Sequence, residues 1–175
     1  SSTSQNVKPP SSRRKVDPTA RRPNAVCDPY GQGGKPLTYS AACALCTTLE
    51  AGWVLQTAEE KRDTEEEHDA ETLPPPISMY KEFFHSNFLN GSKFLSHMAA
   101  VAHNNNHYPI LTLERRLMKK EKAWHVVSTV RCATPTLGGL SYNDFNVAML
   151  VDVETARSKV ASLILTSDEA LRRHT

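Results

Sequence analysis

A chain of 175 residues has room for one ordinary domain with appendages, because single domains mostly run from roughly 100 to 200 residues. Its 39% apolar and 23% charged composition lies in the range usual for soluble globular domains, and no stretch approaches the ~20 uninterrupted apolar residues of a membrane-spanning helix. A formal net charge of +2 is too small to identify a partner, so the distribution of charge along the chain carries the information.

That distribution is uneven. Residues 1–26 hold Lys8, Arg13, Arg14, Lys15, Arg21 and Arg22 against Asp17 alone, with almost no large apolar side chain, and such a segment cannot build a core. It reads as an extended basic tail. Its Ser- and Arg-rich, acid-poor composition is that of a region near a processed organellar transit peptide, which predicts mitochondrial import, with plastid and cytoplasmic locations as alternatives. Arg13, Arg14, Lys15, Arg21 and Arg22 are the candidate partner-binding residues. They suit an arm laid over nucleic-acid phosphates or threaded between subunits. With no aromatic side chain between them, base stacking on the arm is not indicated.

The folded domain is expected over 27–165, interrupted by an acidic insertion at 57–76 that contains Glu65, Glu66 and Glu67 followed by Pro74, Pro75 and Pro76. Thr38 or Ser40 can cap a first helix with Ala42, Leu45, Cys46 and Leu49 on one face and Gly52 as its left-handed stop. Trp53 to Thr57 suits a short strand, and Ile77 to Phe84 a second, with Ile77, Met79 and Phe83 on one side of the pleat. Asn87 is placed to cap a helix whose buried stripe is Phe88, Phe94, Leu95, Met98, Val101 and Ala102, ending near Asn104 to Asn106. Ile110 to Met118 and Trp124 to Cys132 read as a hairpin with a charged tip. Ser141, with Asp144 in the first turn, opens a last helix burying Phe145, Ala148, Leu150 and Val151. Helical character is predicted to continue through an extension at 166–175, with a break near Thr166. This order contains hairpins and no repeated parallel crossover, so the predicted class is α+β: a small antiparallel sheet with helices packed on one face.

Three blocks of sequence carry a family resemblance. Cys27-Asp28-Pro29, Gly33-Gly34, Pro36-Leu37 and Gly52-Trp53 form the first. Phe88, Phe94, Ala99, Ala102, His107 and Pro109 form the second, and Gly138-Gly139-Leu140-Ser141 with Asn143-Asp144-Phe145 the third. Together, in this order, they resemble the pterin-4a-carbinolamine dehydratases as a divergent member. The resemblance implies an antiparallel sheet with helices on one face. It also implies dehydration of a 4a-hydroxytetrahydropterin, in which a hydroxyl leaves as water and a ring nitrogen loses its proton, with no metal or cofactor. Imidazoles suit that task because they titrate near neutrality.

Residue by residue, the resemblance puts His107 at the first histidine of the family's His-His-Pro motif and Pro109 at its proline, while Tyr108 replaces the second histidine. A phenol of pKa about 10 can hydrogen-bond a pterin but cannot act as a base at neutral pH. His103 stands where the family allows an acidic or basic residue. The family's strand histidine falls on His125, or on Ser128 or Thr129, according to where extra residues between Pro109 and Gly138 are placed. His107 and His125 are therefore the candidate catalytic residues, and Tyr108, Pro109 and His103 the candidate substrate contacts. Cys43 and Cys46 form a Cys-x-x-Cys within a helix with no second pair, so they read as small core side chains and no metal site is expected. The functional expectation is a dehydratase-like domain with eroded catalysis. It would serve as a structural subunit of a large organellar assembly, first a mitochondrial ribosome, with rRNA and ribosomal proteins met by the basic tail. The alternative is an active dehydratase that recycles the pterin, and an adaptor role is a third reading.

Overall fold

The computed structural model describes residues 29–58, 73–119 and 122–166. The basic tail, most of the acidic insertion and all of the C-terminal extension except Thr166 lie outside the described residues.

Helix α1 (Tyr39–Cys46) starts at Thr38, whose extended backbone lets its hydroxyl accept from the Ala41 amide at 3.2 Å. It ends at Cys46 and does not run on to Gly52. The Thr47 and Thr48 hydroxyls donate to the Ala44 and Leu45 carbonyls, both at 2.7 Å, and such local bonds compete with helix propagation. Gly52, at φ 103°, turns the chain into strand β1 (Val54–Gln56). Strand β2 (Ser78–His85) follows the insertion. Helix α2 (Phe88–Asn104) is capped by Asn87, whose side-chain oxygen accepts from the Asn90 amide at 2.8 Å. Strands β3 (Ile110–Met118) and β4 (Ala123–Cys132) form the hairpin. A single 3-10 turn (Pro135–Leu137), helix α3 (Tyr142–Thr155) and the one-turn helix α4 (Ser158–Ala161) complete the described elements.

The sheet order is β1-β2-β4-β3 and every pairing is antiparallel, as the element order predicts. Directly opposed residues share a face, so Met79 with Cys132, Lys81 with Val130 and Phe83 with Ser128 point the same way. On that side they meet Phe94 and Met98 of α2 and Phe145, Ala148 and Val151 of α3, and these form one core. The Phe83 and Phe94 ring centroids lie 4.7 Å apart. Two expected core positions fall outside it: Ile77, 41% exposed, precedes the ladder, and Phe88, 52% exposed, precedes the point where α2 meets the sheet. That point is Gly91, where a β-carbon would come within 2.5 Å of the Leu113 side chain. Close approach therefore sets the need for glycine here. On α3, Val147 and Asp152 are buried, whereas Leu150 is only partly so.

Asp152 ties three elements together. Its carboxylate accepts from the Glu50 amide at 3.0 Å, the Trp53 indole N–H at 3.1 Å and the Lys81 ammonium at 2.8 Å. The last turn of α3 is thereby bound to the α1–β1 connection and to the middle of β2. A buried carboxylate with this many donors fixes geometry, since losing any one partner leaves a charge or a polar group unmet.

The C-terminal segment closes over the end of β2. The Leu165 amide donates to the Phe84 carbonyl at 2.8 Å. His85, 3% exposed, has Nδ1 2.7 Å from the Leu163 carbonyl and Nε2 2.7 Å from the Ser128 hydroxyl. A carbonyl can only accept, so Nδ1 carries a hydrogen. Burial pushes the His85 pKa down, opposed by the bond to Leu163. The unfolded chain therefore binds this proton more readily. The contribution to stability is full above the unfolded value of about 6.5 and is lost as the pH falls below it. Thermal unfolding followed by circular dichroism should show the melting temperature dropping as the pH is lowered from neutral. In His85→Asn, which keeps a donor for Leu163 but does not titrate, the starting value should be lower and the acid-side slope shallower.

Candidate functional site

Helix α2 ends in a turn that aims His107 inward. The Asn105 side chain donates to the Val101 carbonyl at 2.8 Å, and Asn106 adopts a left-handed backbone with φ 49°, a conformation that asparagine tolerates better than most residues. The His107 amide then reaches the Ala102 carbonyl at 3.3 Å, and its side chain, 15% exposed, turns under the start of α3. There His107 Nε2 lies 2.7 Å from Asp144 Oδ1.

Asp144 has no solvent exposure. Its Oδ2 accepts from the Ser141 amide at 2.8 Å, the Thr134 hydroxyl at 2.8 Å and the Ser141 hydroxyl at 3.2 Å. Its place in the first turn of α3 also puts it at the positive end of the helix dipole. The partners are held in turn. Thr134 donates its amide to the Gly139 carbonyl at 2.8 Å, and Leu37 donates to the Leu140 carbonyl at 2.9 Å. A β-carbon on Gly139 would lie 2.8 Å from the Pro76 carbonyl oxygen and 2.6 Å from Pro36, so only glycine fits the second position of the Gly138-Gly139 pair.

This geometry limits the chemistry of His107. A carboxylate is acceptor-only when ionised, so Nε2 must carry the hydrogen, and Nδ1 is the ring atom left to exchange a proton with a ligand. An imidazole oriented by a buried carboxylate is a general-base arrangement, with one working atom.

The other sequence candidates are not gathered around it. Tyr108 is 62% exposed, with its hydroxyl 3.4 Å from the Asn106 side-chain oxygen. His103 is exposed in the last turn of α2, and Pro109 is half-buried at the entry to β3. His125, 7% exposed, lies on the side of the sheet opposite α2 and α3, with the Phe84 ring edge-on at 5.7 Å. In the hairpin His125 stands opposite Arg116 and Arg131 opposite Ile110. At ~3.3 Å per residue, about 20 Å of strand thus separates His125 from the end where His107 enters. The alternative positions are no nearer in role: Ser128 bonds to His85, and Thr129 stands mid-strand opposite Thr112. The residue that β4 does bring to the His107 end is Thr134. Arg13, Arg14, Lys15, Arg21 and Arg22 lie outside the described residues.

On the face opposite α2 and α3 a cleft of about 270 Å³ is lined by Glu82, Thr112, Glu114, Arg116, Thr129 and Arg131, among others. Its cations are already engaged. Arg116 bonds to Glu82 at 2.8 Å and to Glu114, and Arg131 lies 4.8 Å from the Tyr80 ring centroid while bonding to Ser78 at 3.0 Å. Cys43 and Cys46 are half-buried on α1, with Cys46 packed against the core. Burial and the neighbouring Cys43 raise the Cys46 pKa, the opposite of what a reactive thiolate requires. Among the described residues no group of three or more His, Cys, Asp or Glu side chains is placed to hold a metal.

Sequence spacing did not reveal the bond between His107 and Asp144, because the partners are 37 residues apart. The only local signal was the acid three residues after Ser141, which points to the helix start and not to the histidine. Replacing Asp144 by Ala should strand the Ser141 amide, the Thr134 hydroxyl and the His107 N–H. At about 1–3 kcal/mol for each buried donor left unmet, the loss should exceed about 3 kcal/mol. His107→Ala removes a single partner and should cost less. Urea midpoints of the two single variants and the double variant give the coupling directly.

No family model matches the sequence, and no curated protein matches it. Among solved structures, one described as a transcriptional coactivator/pterin dehydratase from Brucella melitensis is similar to this chain. The likeness covers 69% of this chain and 98% of that one, at 17% sequence identity and a TM-score of 0.46.

Proposed function

We propose that the chain is a pterin-4a-carbinolamine dehydratase-like domain with an incomplete catalytic set, acting as a structural subunit of a large organellar assembly, with a mitochondrial ribosome the first candidate. The observation that carries this reading is the separation of the two histidines. Dehydration of a carbinolamine requires one proton delivered to the leaving hydroxyl and another removed from nitrogen. His107 stands with one ring nitrogen bonded to Asp144, while His125 faces the other side of the sheet six register positions away from Arg131. Tyr108 offers a phenol where the resemblance expects a second imidazole, and a phenol does not replace a neutral base. The basic segment containing Arg13 to Arg22 supports the assembly role, since it has the composition of an arm that neutralises phosphates.

The second reading, an active dehydratase, is favoured by the orientation that Asp144 gives His107. One assay separates the two. Purified full-length protein mixed with freshly generated 4a-hydroxytetrahydropterin should leave the decay of its absorbance at the buffer rate, with His107→Ala indistinguishable from wild type. An acceleration that His107→Ala abolishes would establish the enzyme instead. For the assembly role, organelle extract fractionated at moderate salt should carry the protein in the large-particle fractions. Recovery only as a free small oligomer would defeat it.

A further inference from the structure

The far half of the β3–β4 hairpin extends beyond both its neighbouring strand and the helix layer. His85, the last residue of β2, pairs with Val126, so among the described residues the opposed pairs from Arg116 and His125 outward have no third strand beside them. On the helix side α2 first meets the sheet at Gly91, over Leu113, before the hairpin's outer pairs. Leu117 and Trp124 oppose each other directly and project from that side, 45% and 57% exposed. Around them the charge is positive. The Arg115 guanidinium lies 5.5 Å from the Trp124 ring centroid, and Lys119 and Lys122 are exposed at the tip. From Glu114 to Lys122 the sequence holds five cationic side chains against two carboxylates, and one of these, Glu114, is engaged by Arg116.

An exposed indole beside Arg115, Lys119 and Lys122, which make no ion pair with another described residue, suits a ligand that offers both planar rings and negative charge. We propose that this end of the hairpin contacts single-stranded RNA, with an unpaired base stacked on Trp124 and backbone phosphates met by Arg115, Lys119 and Lys122. The inference rests on the reading of the chain as a ribonucleoprotein subunit and adds a contact that the basic tail does not supply, since the tail has no aromatic side chain. Stacking on an aromatic ring tolerates any base, and Arg adds a cation–π component. The order of residues argues against a lipid surface: the lysines form the apex and the apolar pair sits behind them, so charge would have to enter the bilayer first. Paired bases are excluded as stacking partners because their faces are covered within the duplex.

The test uses the full chain and a short fluorescent oligouridylate, read by anisotropy and by tryptophan emission. Binding should quench the emission and weaken as salt rises. Trp124→Ala should bind about tenfold more weakly, in line with the ~1–3 kcal/mol of a base–aromatic stack, and Trp124→Phe should retain most of the affinity. Lys119→Glu combined with Lys122→Glu should lower affinity and flatten the salt dependence. Unchanged binding by Trp124→Ala, equal affinity for a duplex of the same length, or an emission shift produced by phosphatidylserine vesicles and not by the oligonucleotide would each overturn the proposal. A variant with Arg13, Arg14, Lys15, Arg21 and Arg22 all changed to Ala separates the two ideas. If it alone abolishes binding, the hairpin contact is wrong and the assembly reading stands. If the hairpin variants behave as expected while the protein sediments free in extract, the contact stands and the assembly reading falls.

Discussion

One buried carboxylate governs the part of the molecule around His107. Asp144 sits without solvent contact at the start of α3 and gathers donors from Ser141, Thr134 and His107. A charge in that position must be met on all sides or it would unfold its surroundings. Meeting it fixes the end of β4, the glycine turn, the first turn of α3 and the exit from α2. His107 is thus also part of the support for a helix, with one ring nitrogen bonded to that carboxylate.

A second carboxylate does the same at the other end of the same helix. Asp152 binds the Glu50 amide, Trp53 and Lys81, so α3 is pinned to the sheet and to the α1–β1 connection by charge at its far turn and to β4 and α2 by charge at its near turn. Between them Phe145, Ala148 and Val151 supply the apolar contact. Apolar burial stabilises without direction, whereas the two aspartates fix where along its axis the helix must lie. On the opposite face of the sheet the charges are paired among strands, Arg116 with Glu82 and Glu114, and no helix of the described residues is laid over them.

The elements were legible wherever they begin with their own local chemistry. Thr38, Asn87 and Ser141 each mark a helix start in both sequence and structure, because a cap is decided within three or four residues. Ends were less legible. The first helix stops at Cys46 because two threonine hydroxyls compete for its carbonyls, and the composition of the segment does not announce this. Phe88 satisfied the apolar spacing yet stands exposed, since spacing identifies a face without saying how far the opposing layer extends. The candidate site was legible only in pieces. His107 and Asp144 were each singled out, but the turn through Asn106 that joins them depends on a left-handed backbone angle. His125, Ser128 and Thr129 were left as alternatives in the sequence because a gap could be placed in two ways, and what the strand register adds is that Ser128 faces the helices whereas His125 and Thr129 face the other side of the sheet.

The two sides of the hairpin have different occupations: Trp124 turns towards the helix side, and His125 towards the opposite one with Arg116. Since neighbouring residues alternate sides, gaining or losing a single residue inside β4 would exchange the two sets, sending indole and imidazole to each other's environment and separating Arg116 from Glu82. Residues added between Met118 and Ala123, past the last rung of the ladder, would leave every pairing untouched. The hairpin can therefore change length freely at its tip alone, and any lineage-specific lengthening of this chain would be tolerated there before it was tolerated within either strand.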